Sequence, residues 1–298
     1  MDTTPTQVPS FIFRGNAVAA SGYLTKLDNQ PIELNPDTVT VHGESSLPVI
    51  GGVSRSRIDK PVLPYPEWIS YDTCETFAEG SSAGDTTVTT VRASVNNVRV
   101  MTRPSPEDYA PGVQSITFRA DRLAIGVRSV YRYQSEPVFE LAEPELGTMS
   151  LTRTSIDGPA AVLPLRLEFD VDLMGLGTLS ALDNAFLGDQ DFFNAQAPRY
   201  AGSSDDELVF SESRMPRSEH GYVITSIVKR IVLGDRIIEG NVLAEPGFGT
   251  IQFGVMLVNG YNRRISLAVV RTGSDPAGSS NFSGVDPNGI YGSRGGGG

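Results

Sequence analysis

With one cysteine, Cys74, the chain can form neither an intrachain disulfide nor a cysteine-ligated metal cluster, so its fold stands on packing. A small buried apolar residue is the expectation for Cys74, ahead of a nucleophile. Histidine is almost as scarce. His42 and His220 are the only two, far apart in sequence, and hydrogen-bonded or exposed rings are expected rather than a shared metal site. Lysine is rare too: of 24 basic residues, only Lys26, Lys60 and Lys229 are lysines. Coding bias accounts for that skew most simply, and an arginine-fork recognition surface is the functional alternative. The net charge of −11 argues against a direct nucleic-acid partner, because phosphate binding needs Lys/Arg to displace counterions. No apolar run is long enough to span a membrane, so no membrane span is expected. The opening Met1-Asp2-Thr3-Thr4-Pro5 has no basic region. The localisation expected is extracellular or cell-surface, by a route without a cleaved N-terminal signal, with the virion as alternative.

What the chain has is turn residues and alternation. Its 31 Gly and 20 Pro, with 39% hydrophobic residues, predict an all-β fold: an antiparallel β-sandwich or two packed sheets with a C-terminal meander, long loops and extended termini. From Leu165 to Leu173 five apolar residues alternate with Arg166, Glu168, Asp170 and Asp172, as in a strand with one wet face. Ile116-Thr117-Phe118-Arg119-Ala120 alternates as well, then slips by one to Leu123, Ile125 and Val127. Val91, Ala93 and Val95 slip to Val98 and Val100 across Asn96-Asn97. Both slips predict bulges. Towards the C-terminus, residues 222–233, 236–243, 251–257 and 265–269 predict four consecutive antiparallel strands, with turns at Gly234-Asp235 and Asn259-Gly260.

Elsewhere regularity fades. Ser180 is placed to cap a short helix over 181–187, and residues 188–217 read as a long insertion. Residues 57–84 read as irregular. The division expected is an extended arm over 1–10, a β-rich body over 11–272 with a possible sub-boundary near 157–160, and a Gly-rich tail over 273–298. A tail of that composition needs a neighbouring surface to order it. The expectation is therefore that Phe11, Ile12, Phe13 and Tyr291 pair with the sheet edge of another copy.

Residues 87–100 (TVTTVRASVNNVRV), 115–130 (SITFRADRLAIGVRSV) and 232–270, with the turn Pro246-Gly247-Phe248-Gly249-Thr250, together resemble the β-rich bacterial surface proteins grouped under "choice-of-anchor" labels. That resemblance implies an extracellular, non-catalytic role. The chain departs from the group in showing no signal peptide, sorting motif or terminal membrane anchor.

Catalytic patterns are sparse. There is no Gly-x-Ser-x-Gly elbow and no Gly-x-x-x-x-Gly-Lys-Ser/Thr phosphate loop, and no cofactor is expected. Glu168, Asp170 and Asp172 at i, i+2 spacing on one strand face admit glycosidic acid/base work or calcium binding, though a solvated face resisting edge pairing is the simpler reading. Tyr65, Trp68 and Tyr71, three residues apart, form a candidate ligand platform for sugar rings or a partner, against the alternative that they plug one end of the sandwich. The function expected is a non-catalytic structural subunit of a surface assembly: itself the main partner, a glycan a possible one. A virion or phage structural protein, and a carbohydrate-binding or carbohydrate-cleaving sandwich, are the alternatives.

Overall fold

The computed structural model describes residues 10–28, 30–33, 39–105, 108, 110–174, 222–259 and 262–291. The expectations for residues 1–9, 181–187, 188–217, His220, Gly260 and 292–298 lie outside the described residues.

In chain order the first strands are β1 (Phe11–Leu27), β2 (Gln30–Pro31), β3 (Val39–Ser46), β4 (Gly52–Asp59), β5 (Ile69–Ser70), β6 (Thr73–Ala83), β7 (Thr86–Thr102) and β8 (Val113–Arg132). There follow β9 (Val138–Leu141), β10 (Glu145–Leu146), β11 (Met149–Ser155), β12 (Ala161–Phe169) and one helical turn, α1 (Val171–Met174). The rest are β13 (Tyr222–Ser226), β14 (Val228–Leu233), β15 (Arg236–Glu239), β16 (Val242–Glu245), β17 (Gly249–Asn259), β18 (Asn262–Thr272) and β19 (Ala277–Tyr291).

They form an all-β sandwich of two packed antiparallel sheets. The eight-stranded sheet runs β13-β17-β18-β19-β1-β2, with β16 also on β17 and β3 on β1. The eleven-stranded sheet runs β15-β14-β12-β11-β8-β7-β6-β4, with β5 on β7 and with β9 and β10 on β8. Phe118, Phe139, Phe253 and Phe282 are fully buried in the core, with Ile116, Leu123 and Leu151.

Three sequence expectations need correction. Residues 73–83, read as irregular, are strand β6, whose inward residues Cys74, Thr76, Ala78 and Gly80 are small or weakly apolar and so leave little periodic signal. Glycine is required there, because a Cβ on Gly80 would meet the Phe13 ring at 2.5 Å. The Gly-rich stretch is corrected more strongly. Residues 277–291 are β19, a central strand hydrogen-bonded to β18 on one side and β1 on the other. A Cβ on Gly289 would meet the Phe11 ring at 2.3 Å, and one on Gly278 would meet the Tyr23 carbonyl at 2.3 Å. The composition that suggests disorder is that of a strand lying under large neighbours. Finally, the four-strand meander is divided. At buried Ile227 the chain leaves β13 in the eight-stranded sheet and enters β14 in the other, where β14 and β15 form the hairpin around Gly234-Asp235. The continuous β-branched run over 222–233 carries no local mark of that crossover. The possible sub-boundary at 157–160 falls in the connection between paired strands β11 and β12.

The two predicted slips are one event. Asn97, at φ 55°, faces Asp121 between the rungs Asn96–Arg122 and Val98–Ala120, and the register is the same on both sides. No strand has an extra residue. Both strands switch faces at one rung, so Val95 and Val98 are both buried, as are Ala120 and Leu123. The same rung continues to Asp72, whose N–H donates to the Asn96 carbonyl, and to Lys60 at φ 50°. A matching row crosses the eight-stranded sheet through Gly254 at φ 59°, Leu267, Ser283 at φ 56°, Ala19 and Gly43 at φ 65°. In both rows left-handed backbone falls on every second strand. The rows meet in the core, where Ser283 Oγ donates to the Leu123 carbonyl at 2.8 Å and a Cβ on Gly43 would lie 2.9 Å from that of Cys74. Small side chains let the sheets approach closely here. Cys74 is fully buried as one of them, and burial pushes its thiol up to about 12.

Candidate functional site

The aromatic segment does not form a platform. Trp68 and Tyr71 are 3% and 5% exposed, whereas Tyr65 is half-buried beside a small notch lined by Tyr23, Leu24 and Leu63. The Arg103 guanidinium lies 4.8 Å from the Trp68 ring centroid. Tyr71 Oη and His42 Nδ1 are hydrogen-bonded at 2.7 Å, and the Tyr71 ring packs edge-on against Phe282 at 6.2 Å. Burial raises the Tyr71 phenol and lowers the His42 imidazolium. Trp68→Ala is expected to cost about 3 kcal/mol of stability in a urea melt, the low end for a buried indole because the segment borders solvent. An unchanged midpoint would show that the ring does not brace the fold.

The candidate assembly contacts are engaged within the chain. Phe11 pairs with Tyr291, Ile12 with Ile290 and Phe13 with Gly289. Phe11 and Phe13 are 8% and 3% exposed, and Phe11 meets Tyr131 and Tyr291 at ring distances of 5.0 Å. Tyr291 Oη donates to the Asp85 carbonyl at 2.6 Å. The main-chain groups expected to reach a neighbour are used between β1 and β19.

The carboxylate row is also broken up. β12 ends at Phe169, with a register shift against β14 between Glu168 and Phe169. The Asp170 carbonyl then accepts from Leu173 and Met174 as the chain turns into α1, so Asp172 is helical and shares no strand face with Glu168. Glu168 pairs with Arg230 at 3.2 Å. Among the described residues no group of three or more His, Cys, Asp or Glu is placed to hold a metal ion.

A site that the sequence reading missed lies on the exposed side of the kink row in the eleven-stranded sheet. Asp59, Lys60, Asp72, Thr73, Asn96, Asn97, Asp121 and Arg122 line a shallow polar groove. Asn97 Nδ2 donates to Asp72 Oδ2 at 2.7 Å, Arg122 Nη1 to Asn96 Oδ1 at 3.1 Å, and Thr73 Oγ1 to Asp59 Oδ1 at 3.3 Å. The Arg57 guanidinium holds the Asp59 carboxyl below its ordinary value. The slips at Asn96-Asn97 and at Asp121 were the available signal: a strand that switches faces must turn polar residues outward at that rung. Chemically, the groove offers hydrogen-bond donors and acceptors of both charges to a polyhydroxylated ligand.

One carboxyl elsewhere is perturbed. Burial pushes Asp286, which lies opposite Asn16 and accepts from Asn288 Nδ2, up to about 6, with Arg264 pulling the other way. The folded state therefore holds this proton more tightly than the unfolded one. The favourable contribution is complete below about pH 4 and is lost as pH rises through about 6. Asp286→Asn should match the parent at pH 4 and exceed its stability at pH 7 by about 1–2 kcal/mol, given partial solvent screening. An equal difference at both pH values would contradict this account.

Among the described residues no helix is long and apolar enough to cross a membrane. Comparison with known protein families, characterised proteins and solved structures finds no match to this chain.

Proposed function

We propose that the chain is a non-catalytic structural subunit of an extracellular or cell-surface assembly, such as a filament, sheath or adhesive layer. One observation carries the reading: the sandwich is open at long strands. β3 and β4, consecutive in the chain and eight residues each, end the two sheets on the same side, and among the described residues each pairs with one strand alone. Open edges present main-chain donors and acceptors to another chain. The resemblance to choice-of-anchor proteins supports the same reading. With Phe11, Ile12, Phe13 and Tyr291 paired inside the fold, the joints of the assembly are placed at open sheet edges.

Negative-stain imaging of the purified chain tests the proposal. Filaments or sheets are expected, closed shells would favour the virion alternative, and isolated monomers at high concentration would contradict both. A second reading, carbohydrate binding, is favoured by the polar groove at the kink row. Glycan-array binding lost on Asn97→Ala, with the melting temperature unchanged, would favour that reading.

A further inference from the structure

Resting on the assembly reading, we infer that copies join head to tail through two opposite edges of the eleven-stranded sheet, β4 of one copy lying against β9–β10 of the next. On one side of the kink row the strand order is β4-β6-β7-β8-β9, so β4 and β9 are the two margins of one five-stranded stretch. β10 continues the β9 margin along β8. Each successive pair is antiparallel, which makes β4 and β9 run in the same direction. A second copy displaced along the sheet therefore brings them together as parallel neighbours.

Charge identifies the occupant. From Gly52 to Lys60 the β4 margin carries Arg55, Arg57 and Lys60 against Asp59 alone, whereas from Val138 to Leu146 the other margin carries Glu140, Glu143 and Glu145 and no basic residue. One such pair is also in step: a single rung runs Arg57–Glu75–Ser94–Ala124–Glu145. A displacement along the rungs sets Arg57 of one copy beside Glu145 of the next, on the same exposed face. An exposed apolar residue lies at the end of each margin, Ile50 at 87% and Val138 at 39%. Two β4 margins would set arginine against arginine, and two β9–β10 margins glutamate against glutamate. Like edges are thereby kept apart, and the contact that remains joins two different surfaces and generates an open chain of copies.

The test uses charge reversal on the full chain, with melting curves confirming that each variant folds. Arg55→Glu with Arg57→Glu, and separately Glu140→Lys with Glu143→Lys and Glu145→Lys, should each abolish polymers. An equimolar mixture of the two variants should polymerise with the two alternating, since the native margins join each other and the reversed margins match by the same charges, and one chain carrying all five reversals should polymerise as well. Should a multiple variant fail to fold, Glu143→Lys serves alone, because Glu143 has no ion pair among the described residues. It should raise the concentration for half-assembly roughly tenfold. Polymers formed by either reversed variant alone, or a mixture that stays unassembled, would overturn this joint while leaving the assembly reading intact. A parent chain that is monomeric at high concentration and low salt would remove both.

Discussion

Truncation after Gly273 will yield a chain with no cooperative thermal transition, recovered as aggregate, although the residues removed have the composition of a disordered tail. The deletion takes out β19, which is paired with β1 from Phe11–Tyr291 to Lys26–Ala277 and with β18 from Ile265–Val285 to Thr272–Gly278. Phe282 and Val285 are each 1% exposed, and their burial alone stabilises by about 3–6 kcal/mol. Ser129 and Leu123 also lose their hydrogen bonds to Pro287 and Ser283. More costly still, the facing edges of β1 and β18 are left with buried main-chain groups unpaired, at about 1–3 kcal/mol each. The total exceeds the roughly 5–15 kcal/mol by which a domain is stable. Circular dichroism melting of the truncated chain checks this. A folded monomer with a sharp transition would show that β19 is dispensable.

Gly254→Val is expected to lower stability by about 4 kcal/mol, a large effect for a glycine in the middle of a strand. At φ 59° a side chain costs about 1–2 kcal/mol in backbone strain. The added Cβ would also lie 2.6 Å from Ile227 Cγ1 and 2.9 Å from Val228 Cγ2, at the crossover between the sheets, where overpacking adds about 1–3 kcal/mol. Gly84→Val makes a discriminating control, since at φ 62° it meets the same backbone strain with open space around it. Urea denaturation should separate the two by about 2 kcal/mol. Equal losses would mean that close packing at the kink row contributes nothing.

How far the sequence could be read depended on which side chains face the core. The alternating Val and Ile of β7 and β8 made those strands legible, and even their change of face was visible as slips at Asn96-Asn97 and after Ala120. β6 and β19 were not legible, because where the sheets approach closely the inward positions are filled by Gly, Ser, Ala and Cys, and the apolar signal lies in the neighbours. Phe11 covers Gly289, and Phe13 covers Gly80. For the same reason Phe11 and Phe13 looked unpartnered: their partners Tyr291 and Gly289 lie in a segment that resembles a linker. Alternation ran on past Phe169 although β12 ends there, because local pattern does not record the loss of a neighbouring strand. The polar groove depends on four strands sharing one rung, a tertiary coincidence hinted at by the slips alone.

The central claim, that this open-edged sandwich is an assembly subunit, is tested most directly by light scattering of the full chain over a wide range of concentration at low salt. The account predicts a mass that climbs with concentration well beyond a monomer and falls back as salt screens the charged margins. A monomeric mass at every concentration would contradict it.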